Sequence, residues 1–172
     1  RARKPVLGFS DVTALHAHLS SAGLEAIHGP VVTQLPALSD LDLEAAGRAL
    51  RGEASPPLVA DGPVVSGGRA EGPLWGGNLA VLTALVGTPH LRPPREGMLL
   101  LLEDVGEATY RVDRLLTQLL GSGVLERARG VALGDFRDCR PAQDAHPPVL
   151  EVLSERLAPL GVPVVAGFPI GH

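Results

Sequence analysis

The order of apolar and polar positions predicts a chain that alternates between short buried strands and amphipathic helices. Apolar runs bounded by glycine or proline indicate strands, and apolar residues repeated at helical spacing indicate helices. Strands are predicted at Pro5–Gly8, Ile27–Leu35, Met98–Glu103, Gly130–Gly134 and Pro163–Ala166, with a small hairpin over Pro63–Gly72. Helices are predicted at Asp11–Ser21, Ser39–Arg51, Leu79–Val86, Tyr110–Leu120 and Pro148–Leu157. Such alternation is typical of the α/β class.

Two lobes are expected within the 172 residues. Glycine and proline cluster between Gly52 and Pro57, after the second predicted helix, and the pattern changes beyond them. We therefore place a boundary near Ala60, which divides the chain into residues 1–60 and residues 61–172. The sequence begins without methionine and ends abruptly after the last predicted strand, so both ends are expected to continue in a longer protein.

Composition narrows the classes of function. The formal net charge is −4 and no basic patch is visible, which argues against a nucleic-acid partner because phosphate contacts need concentrated lysine and arginine. The longest apolar run, Met98–Leu102, is far shorter than a helix that crosses a membrane. Cys139 is the single cysteine, so an intrachain disulfide is excluded and a reducing, cytoplasmic location is expected.

The sequence predicts neither a metal ion nor a cofactor. No two histidines are spaced three or four residues apart, the spacing that places two imidazoles on one helix face. Gly76-Gly77-Asn78 opens a predicted helix, but the lysine and serine of a phosphate-binding loop are missing from the sequence. Any catalytic chemistry is therefore expected to come from side chains and backbone groups.

Ser10 stands where an apolar strand turns into a helix. Its hydroxyl would project from a sharp turn while the first N–H groups of the helix point towards the group it attacks, which is the geometry of a nucleophile elbow. Gly8-Phe9-Ser10 fits that pattern, but Val12 stands where a second glycine is expected. Serine is also a preferred residue at helix N-termini, so a capping role stays open.

Two further candidates follow predicted strands. Glu103 closes the apolar run that begins at Met98, at the edge where open α/β sheets bind ligands, and its alternative role is an ion pair or a cap. Asp104 would point to the opposite face of the strand, so one of the two carboxylates is expected to be buried and the other solvated. His172 follows the last strand through a flexible connection that could bring its imidazole over a cleft.

Six sequence motifs occur along the chain in an order and spacing that resemble one peptidase family. They are Gly8-Phe9-Ser10-Asp11-Val12-Thr13-Ala14-Leu15, His28-Gly29-Pro30, Leu74-Trp75-Gly76-Gly77-Asn78-Leu79, Leu102-Glu103-Asp104-Val105-Gly106-Glu107 followed by Tyr110-Arg111-Val112-Asp113-Arg114-Leu115, Leu133-Gly134-Asp135-Phe136, and Gly171-His172. Together they resemble the LD-carboxypeptidase family of serine peptidases, which includes muramoyltetrapeptide carboxypeptidases and microcin C immunity hydrolases. The resemblance covers essentially the whole chain.

The resemblance implies a Ser-Glu-His triad. Ser10 would be the nucleophile, His172 the general base and then the general acid, and Glu103 the carboxylate that orients the imidazole. The backbone N–H of Asp11 would be one oxyanion donor, and the second would come from a glycine-rich loop upstream of Arg1. The implied fold is the C-terminal part of a flavodoxin-like α/β domain followed by a second α/β domain of swivelling, barrel-like form.

The implied substrate is a murein tetrapeptide, from which the enzyme would release the C-terminal D-alanine. Arg111 and Asn78 would bind the free carboxylate, and Glu107 or Asp135 would meet the amine of the substrate. A position on a helix surface or a capping role is the alternative for each of these four. Trp75 would either form a wall of the cleft or fill the core.

Two other functions stay open from the sequence. An immunity hydrolase of the same fold would cleave a peptide–nucleotide toxin, although aromatic residues make up only 3% of the chain, which leaves few to stack on a base. In a different class, the chain would be a non-catalytic binding module or an inactive fragment, in which Ser10, Glu103 and His172 only cap and pair. A homodimer is compatible with each interpretation.

Overall fold

The computed structural model describes residues 4–54, 56–143 and 146–172 and is an α/β structure with two sheets. The strands are β1 (Val6–Gly8), β2 (Ala26–His28), β3 (Val64–Ser66), β4 (Leu74–Asn78), β5 (Met98–Val105), β6 (Ala128–Arg137) and β7 (Val164–Ala166). The helices are α1 (Val12–Ser21), α2 (Asp40–Leu50), α3 (Leu79–Ala84), α4 (Thr109–Gly121) and α5 (Val149–Leu157). Short 3₁₀ turns cover Val32–Ala37, Val124–Arg127 and Ala158–Leu160. The predicted α/β class is confirmed.

The larger sheet carries the hydrophobic core. Its five strands follow the order β3-β7-β6-β5-β4, in which β3 is antiparallel to β7 and the other neighbours are parallel. Strand β5, which lies between β6 and the edge strand β4, is enclosed on both faces, and Met98, Leu100 and Leu102 are fully buried, as a continuous apolar run predicts. Parallel strands end at a common edge, and there Asn78 of β4 lies in register with Glu103 of β5.

Residues 4–50 form a thinner layer. The parallel strands β1 and β2 make a two-stranded sheet, and α1 buries Thr13, His16 and Ala17. Helix α2 has no buried residue, and its N-terminus is capped by Ser39, whose hydroxyl accepts the N–H of Asp42 at 3.2 Å. Helix α1 lies against α3 and β4, and this contact brings the end of β1 to the carboxyl edge of the larger sheet.

Three predictions of local structure were wrong. The segment Ile27–Leu35 is not extended throughout, because β2 ends at His28 and a 3₁₀ turn follows after Pro30. The segment Pro63–Gly72 does not form a hairpin, since β3 pairs with the distant strand β7 instead of with its neighbour in sequence. Helix α3 ends at Ala84, two residues before the predicted end. Local patterns do not reveal which partner edge a short strand will find.

The connection between the two layers has no helix or strand over its described part, residues 51–54 and 56–63. Beyond it, the N–H of Asp61 donates to the carbonyl of Gly167 at 3.1 Å, so the chain joins the larger sheet at about that point. The predicted boundary near Ala60 falls within this connection, and a division into two domains stays a prediction. Within the described residues, no helix combines the length and the apolar character needed to cross a membrane.

Candidate active site

Ser10 lies in the sharp turn between β1 and α1. Its φ is +58°, a left-handed conformation that is unusual for a residue with a side chain and that is often found at functional sites. Val12, which stands in place of the expected second glycine, is accommodated because Gly8 has no side chain: a Cβ there would lie 2.8 Å from Val12. The turn directs the Ser10 hydroxyl towards His172.

The structure brings Ser10, His172 and Glu103 together. His172 Nδ1 lies 2.7 Å from Glu103 Oε2, and His172 Nε2 lies 3.1 Å from Ser10 Oγ. When Nδ1 carries the proton and donates to the carboxylate, Nε2 has a free lone pair that accepts the hydroxyl of Ser10. This hydrogen-bonded chain is the arrangement that activates a serine nucleophile.

The end of β6 holds the segment that carries His172. The N–H of Asp135 donates to the carbonyl of Ile170 at 2.7 Å. Gly134 permits this approach, because a Cβ at that position would overlap the Ile170 carbonyl oxygen. Steric contact with Ile170 therefore explains why glycine occupies this position of the Leu133-Gly134-Asp135-Phe136 motif, and the sequence alone did not show this contact.

Glu103 supplies a buried negative charge beside the imidazole. Its side chain has no exposed surface, and that of His172 is 19% exposed. Burial raises the pKa of the Glu103 carboxyl, the hydrogen bond and charge of His172 lower it, and the nearby charge of Asp104 raises it again. The low polarity of the surroundings strengthens the attraction between this carboxylate and a protonated imidazole.

Asp104 corrects one expectation from the sequence. Both carboxylates are buried, Glu103 with 0% and Asp104 with 3% of its surface exposed, so the prediction that one would be solvated was wrong. Asp104 accepts the side-chain N–H of Asn78 and the backbone N–H of Ala80, each at 3.0 Å. Asp104 thus anchors the start of α3.

Asn78, predicted to bind the substrate carboxylate, caps helix α3. Its Oδ1 accepts the N–H of Val81 at 3.1 Å, while its Nδ2 donates to Asp104, and the residue is only 4% exposed. The position beside Glu103 is compatible with a contact to substrate, but one of its two amide hydrogens already serves the fold. The substrate role of Asn78 therefore stays a prediction.

The other predicted substrate residues have varied surroundings. Arg111 Nε, in the first turn of α4, lies 2.9 Å from Oε2 of Glu107, which precedes the helix, and the two form an ion pair. Asp135 is exposed at the end of β6. Trp75 is 5% exposed and belongs to the core of the larger sheet, which favours the second of its two predicted roles. The assignment of Arg111, Glu107 and Asp135 to substrate stays a prediction.

Two aromatic contacts near the triad were not assigned from the sequence. The ring of Phe9 meets the imidazole of His172 edge-on, with centroids 4.6 Å apart, and it meets the imidazole of His28 in a similar edge-on arrangement, with centroids 6.3 Å apart. Burial lowers the pKa of His28 to about 4 and also lowers that of His16. The His28-Gly29-Pro30 motif drew attention to His28 in the sequence, but it did not show that this imidazole packs against Phe9.

A cavity of about 340 Å³ lies beside the triad rather than at it. Its walls come from α1, β2 and β4 and include His16, His28 and Trp75, but none of the three triad residues. Across residues 4–54, 56–143 and 146–172, no three or more His, Cys, Asp or Glu side chains are grouped so that they could hold a metal ion.

Comparison with known proteins places the chain in a family. Residues 71–172 match the family model of the LD-carboxypeptidase C-terminal domain. The chain belongs to the LD-carboxypeptidase family. Glu103 and His172 lie inside the matched region of that family, whereas Ser10 precedes it.

Relatives within the family extend the match to nearly the whole chain. A Streptomyces coelicolor protein named as a carboxypeptidase is 44% identical over 172 residues, which are 98% of this chain and 54% of the relative. The murein tetrapeptide carboxypeptidase of Pseudomonas aeruginosa is 36% identical over 184 residues, covering 98% of this chain and 58% of the relative. The chain thus spans about half the length of the curated relatives it matches.

Solved structures show the same fold. The crystal structure of the muramoyltetrapeptide carboxypeptidase from Oxalobacter formigenes superposes with a TM-score of 0.79 at 32% identity, over 96% of this chain and 58% of that one. The structure of MccF in complex with glutamyl sulfamoyl guanosine has a TM-score of 0.77 at 22% identity, over 94% of this chain and 58% of that one. At this identity, the likeness to that structure shows the fold alone.

Proposed function

We propose that the whole protein is a serine-type carboxypeptidase that hydrolyses the L,D-peptide bond of murein tetrapeptides and releases the C-terminal D-alanine. The observation that carries this proposal is the hydrogen-bonded chain from Ser10 through His172 to Glu103, which joins the turn after β1, the end of the described chain and the end of β5. Membership in the LD-carboxypeptidase family and the murein names of two relatives support the substrate.

The first half of the reaction forms an ester on Ser10. The Ser10 oxygen attacks the carbonyl carbon of the scissile bond while its proton moves to His172 Nε2, and the carbonyl electrons move onto oxygen. The tetrahedral intermediate collapses, the carbon–nitrogen bond breaks, and His172 gives its proton to the departing amine of D-alanine. Water then attacks the ester with His172 again as the base, which frees the shortened peptide and restores the Ser10 hydroxyl.

Glu103 acts on this sequence through His172. Its hydrogen bond to Nδ1 keeps the proton on that nitrogen, so that Nε2 faces Ser10 as an acceptor. When Nε2 takes the proton from Ser10, the carboxylate stabilises the positive charge of the imidazole. The complete burial of the Glu103 side chain makes this stabilisation larger than it would be in water.

The oxyanion would be stabilised by backbone donors. The N–H of Asp11 directly follows the nucleophile and, within the described part of the chain, donates to no backbone carbonyl. We assign it as one donor, and a second is expected from the glycine-rich loop that the family carries upstream. Removal of one such donor typically lowers turnover by about 10²–10³-fold, so the chain from residue 1 to 172 is expected to be much less active than the whole protein.

The same proposal covers the organisation of the protein. Residues 1–60 would be the remainder of a nucleophile-bearing, flavodoxin-like domain, and residues 61–172 would be a second domain that contributes Glu103 and His172. The partner would be a small murein-derived peptide rather than a macromolecule, in keeping with a cytoplasmic role in peptidoglycan recycling.

The test is release of D-alanine from an L,D-tetrapeptide by the whole protein, together with labelling by a fluorophosphonate. We expect the wild-type protein to be active and labelled, and the Ser10→Ala variant to show neither property. The control is Ser154→Ala, whose hydroxyl donates to the carbonyl of Leu150 within α5, and it should match the wild type. Labelling without D-alanine release, but with cleavage of a peptide–nucleotide, would redirect the substrate to the immunity class. Turnover in Ser10→Ala within tenfold of the wild type would exclude the serine mechanism.

A further inference from the structure

Few hydrogen bonds join the layer that carries Ser10 to the sheet that carries Glu103 and His172. Between residues 4–50 and the described part of residues 60–172 there are three: Ser10 with His172 at 3.1 Å, His18 with His90 at 3.2 Å, and Thr13 with Asn78 at 3.1 Å. The histidine pair is exposed and the Ser10 bond is partly buried. The bond between Thr13 and Asn78 is the buried one of the three.

Thr13 belongs to the same turn as Ser10. The N–H of Thr13 donates to the carbonyl of Ser10 at 2.9 Å, and the side chain of Thr13 is completely buried. Its Oγ1 accepts the backbone N–H of Asn78. Because the Ser10 carbonyl and the Thr13 hydroxyl are fixed to one rigid turn, a displacement of Thr13 also displaces the nucleophile.

The surface that receives Thr13 is shaped for it. Gly77 has a φ of +144° and no side chain, and a Cβ at that position would lie 2.6 Å from Thr13 Oγ1 and 3.0 Å from Thr13 Cγ2. The threonine side chain therefore occupies the space that a larger residue at position 77 would fill. The contact between Thr13 and Gly77 therefore limits how closely α1 approaches β4.

The receiving residue is itself held beside the triad. Asn78 pairs in register with Glu103 on the neighbouring strand, and its side chain donates to Asp104 at 3.0 Å. Asp104 also accepts the N–H of Ala80. A continuous buried path thus runs from the turn of Ser10, through Thr13 and Asn78, to the strand end that presents Glu103.

We propose that Thr13 is a positioning residue, which sets the distance between the Ser10 hydroxyl and the His172 imidazole by fastening α1 to the end of β4. This inference rests on the proposed function, since it concerns the geometry of the same triad. The bond between His172 and Glu103 lies wholly within residues 61–172, so loss of the Thr13 contact should weaken the reaction of Ser10 while the His172–Glu103 bond persists.

The experiment compares Thr13→Val, Thr13→Ser and wild type in the whole protein. Valine keeps the shape but removes the acceptor, whereas serine keeps the hydroxyl. For Thr13→Val we expect kcat and the rate of fluorophosphonate labelling to fall by up to about 10²-fold, the scale of a displacement of about 1 Å at a reacting centre. KM should change little, and Thr13→Ser should retain most of the wild-type kcat.

Two magnetic resonance measurements separate positioning from general damage. The amide proton of Asn78 should exchange faster in Thr13→Val, and the proton shared by His172 and Glu103 should keep its wild-type resonance and pH titration. If Thr13→Val kept wild-type labelling and turnover, the positioning role would be overturned while the proposed function stands. Loss of the His172–Glu103 resonance in Thr13→Val would also overturn the positioning role, because the damage would then extend beyond Ser10. An unlabelled wild type, or an active Ser10→Ala, would instead overturn the proposed function and the Thr13 role with it.

Discussion

The two layers of the molecule differ sharply in how they are packed. The larger sheet encloses an almost continuous core in which Leu100, Leu102 and Leu116 have no exposed surface. The layer of residues 4–50 contributes only Ala17 to that core. It leaves Leu41 with 79% of its surface exposed. Yet the candidate nucleophile Ser10 lies in the thin layer, and its two partners lie in the thick one.

The difference suggests a division of tasks. Burial fixes Glu103 and aligns it with the segment that carries His172, so this half of the triad is expected to resist perturbation. Ser10 depends on a strained turn and on a small number of contacts to the larger sheet, so its position is expected to be sensitive to single substitutions. Substitutions in each layer test whether the two halves of the triad differ in this way.

The largest effect is expected from the two groups that exchange the proton. Ser10→Ala and His172→Ala should each lower kcat by about 10⁶-fold, the scale found in another serine peptidase, and the double variant should cost little more because the groups act as one unit. The measurement is a double-mutant cycle on D-alanine release by the whole protein. Independent losses that multiply would show that the two residues do not share a proton-transfer step.

Glu103→Gln should lower kcat less than Ser10→Ala does, and it should leave the free energy of unfolding unchanged or raise it. The amide keeps the shape but cannot stabilise the imidazolium, which predicts a loss of roughly 10³–10⁴ in kcat. Burial raises the pKa of the Glu103 carboxyl above its value in the unfolded chain, so the folded protein disfavours the ionised form. The ionised carboxylate therefore lowers the free energy of unfolding, and this loss is complete at pH values above the folded pKa. Removing the charge should therefore not lower the free energy of unfolding at neutral pH, as measured by urea denaturation.

Asp104→Asn is the matched control for the register of β5. Asp104 contacts the start of α3 instead of His172, so this variant should lose stability, by about 1–3 kcal/mol for a weakened buried hydrogen-bonded group, with a smaller loss of kcat than Glu103→Gln. If Asp104→Asn were the crippling change and Glu103→Gln nearly silent, the orienting carboxylate would be misassigned by one residue.

Gly134→Ala should act on His172 from the thick layer. The added Cβ would overlap the Ile170 carbonyl, so the segment must move away from β6, and overpacking of this kind typically costs about 1–3 kcal/mol. We expect a fall in kcat of about 10²-fold, the scale of a small displacement of a catalytic group. Gly121→Ala on α4, where a Cβ meets nothing, is the control and should match the wild type. Equal kcat in both variants would show that Gly134 does not position His172.

The resemblance to the peptidase family, rather than the residue pattern alone, named the three residues that the structure brings together. The pattern showed that Ser10 and Glu103 follow apolar strands, but it left capping and pairing roles open for both. The supports of these residues depend on tertiary contact. Nothing in the sequence around Thr13 shows that its hydroxyl meets the N–H of Asn78, 65 positions away.

The same limit explains the errors in the fold. Helix α4 was predicted within one residue at each end because its apolar face repeats with helical spacing, a local property. Strand β3 pairs with β7, a partner about a hundred positions away, so the glycines after Ser66 gave a misleading hairpin signal. One of the two carboxylates, Glu103 or Asp104, was expected in water because strand alternation shows that the two side chains point to different faces but not that both faces are covered.

The thin layer is also expected to lose stability at low pH. Burial lowers the pKa of His28 from 6.5 to about 4, so as the pH falls the unfolded chain takes up a proton before the folded one does. The stability that the neutral imidazole contributes is complete above pH 6.5 and is lost as the pH falls towards 4. At about 1.4 kcal/mol per pH unit, the total is roughly 3.5 kcal/mol at most. His28→Phe keeps a ring against Phe9 and should flatten the decline of the unfolding free energy between these pH values. His90→Asn, at an exposed site, should show the same decline as the wild type.

A decline of equal slope in His28→Phe and wild type would contradict this prediction. It would assign the acid sensitivity to groups in the larger sheet, which would then be the layer that loses more stability at low pH.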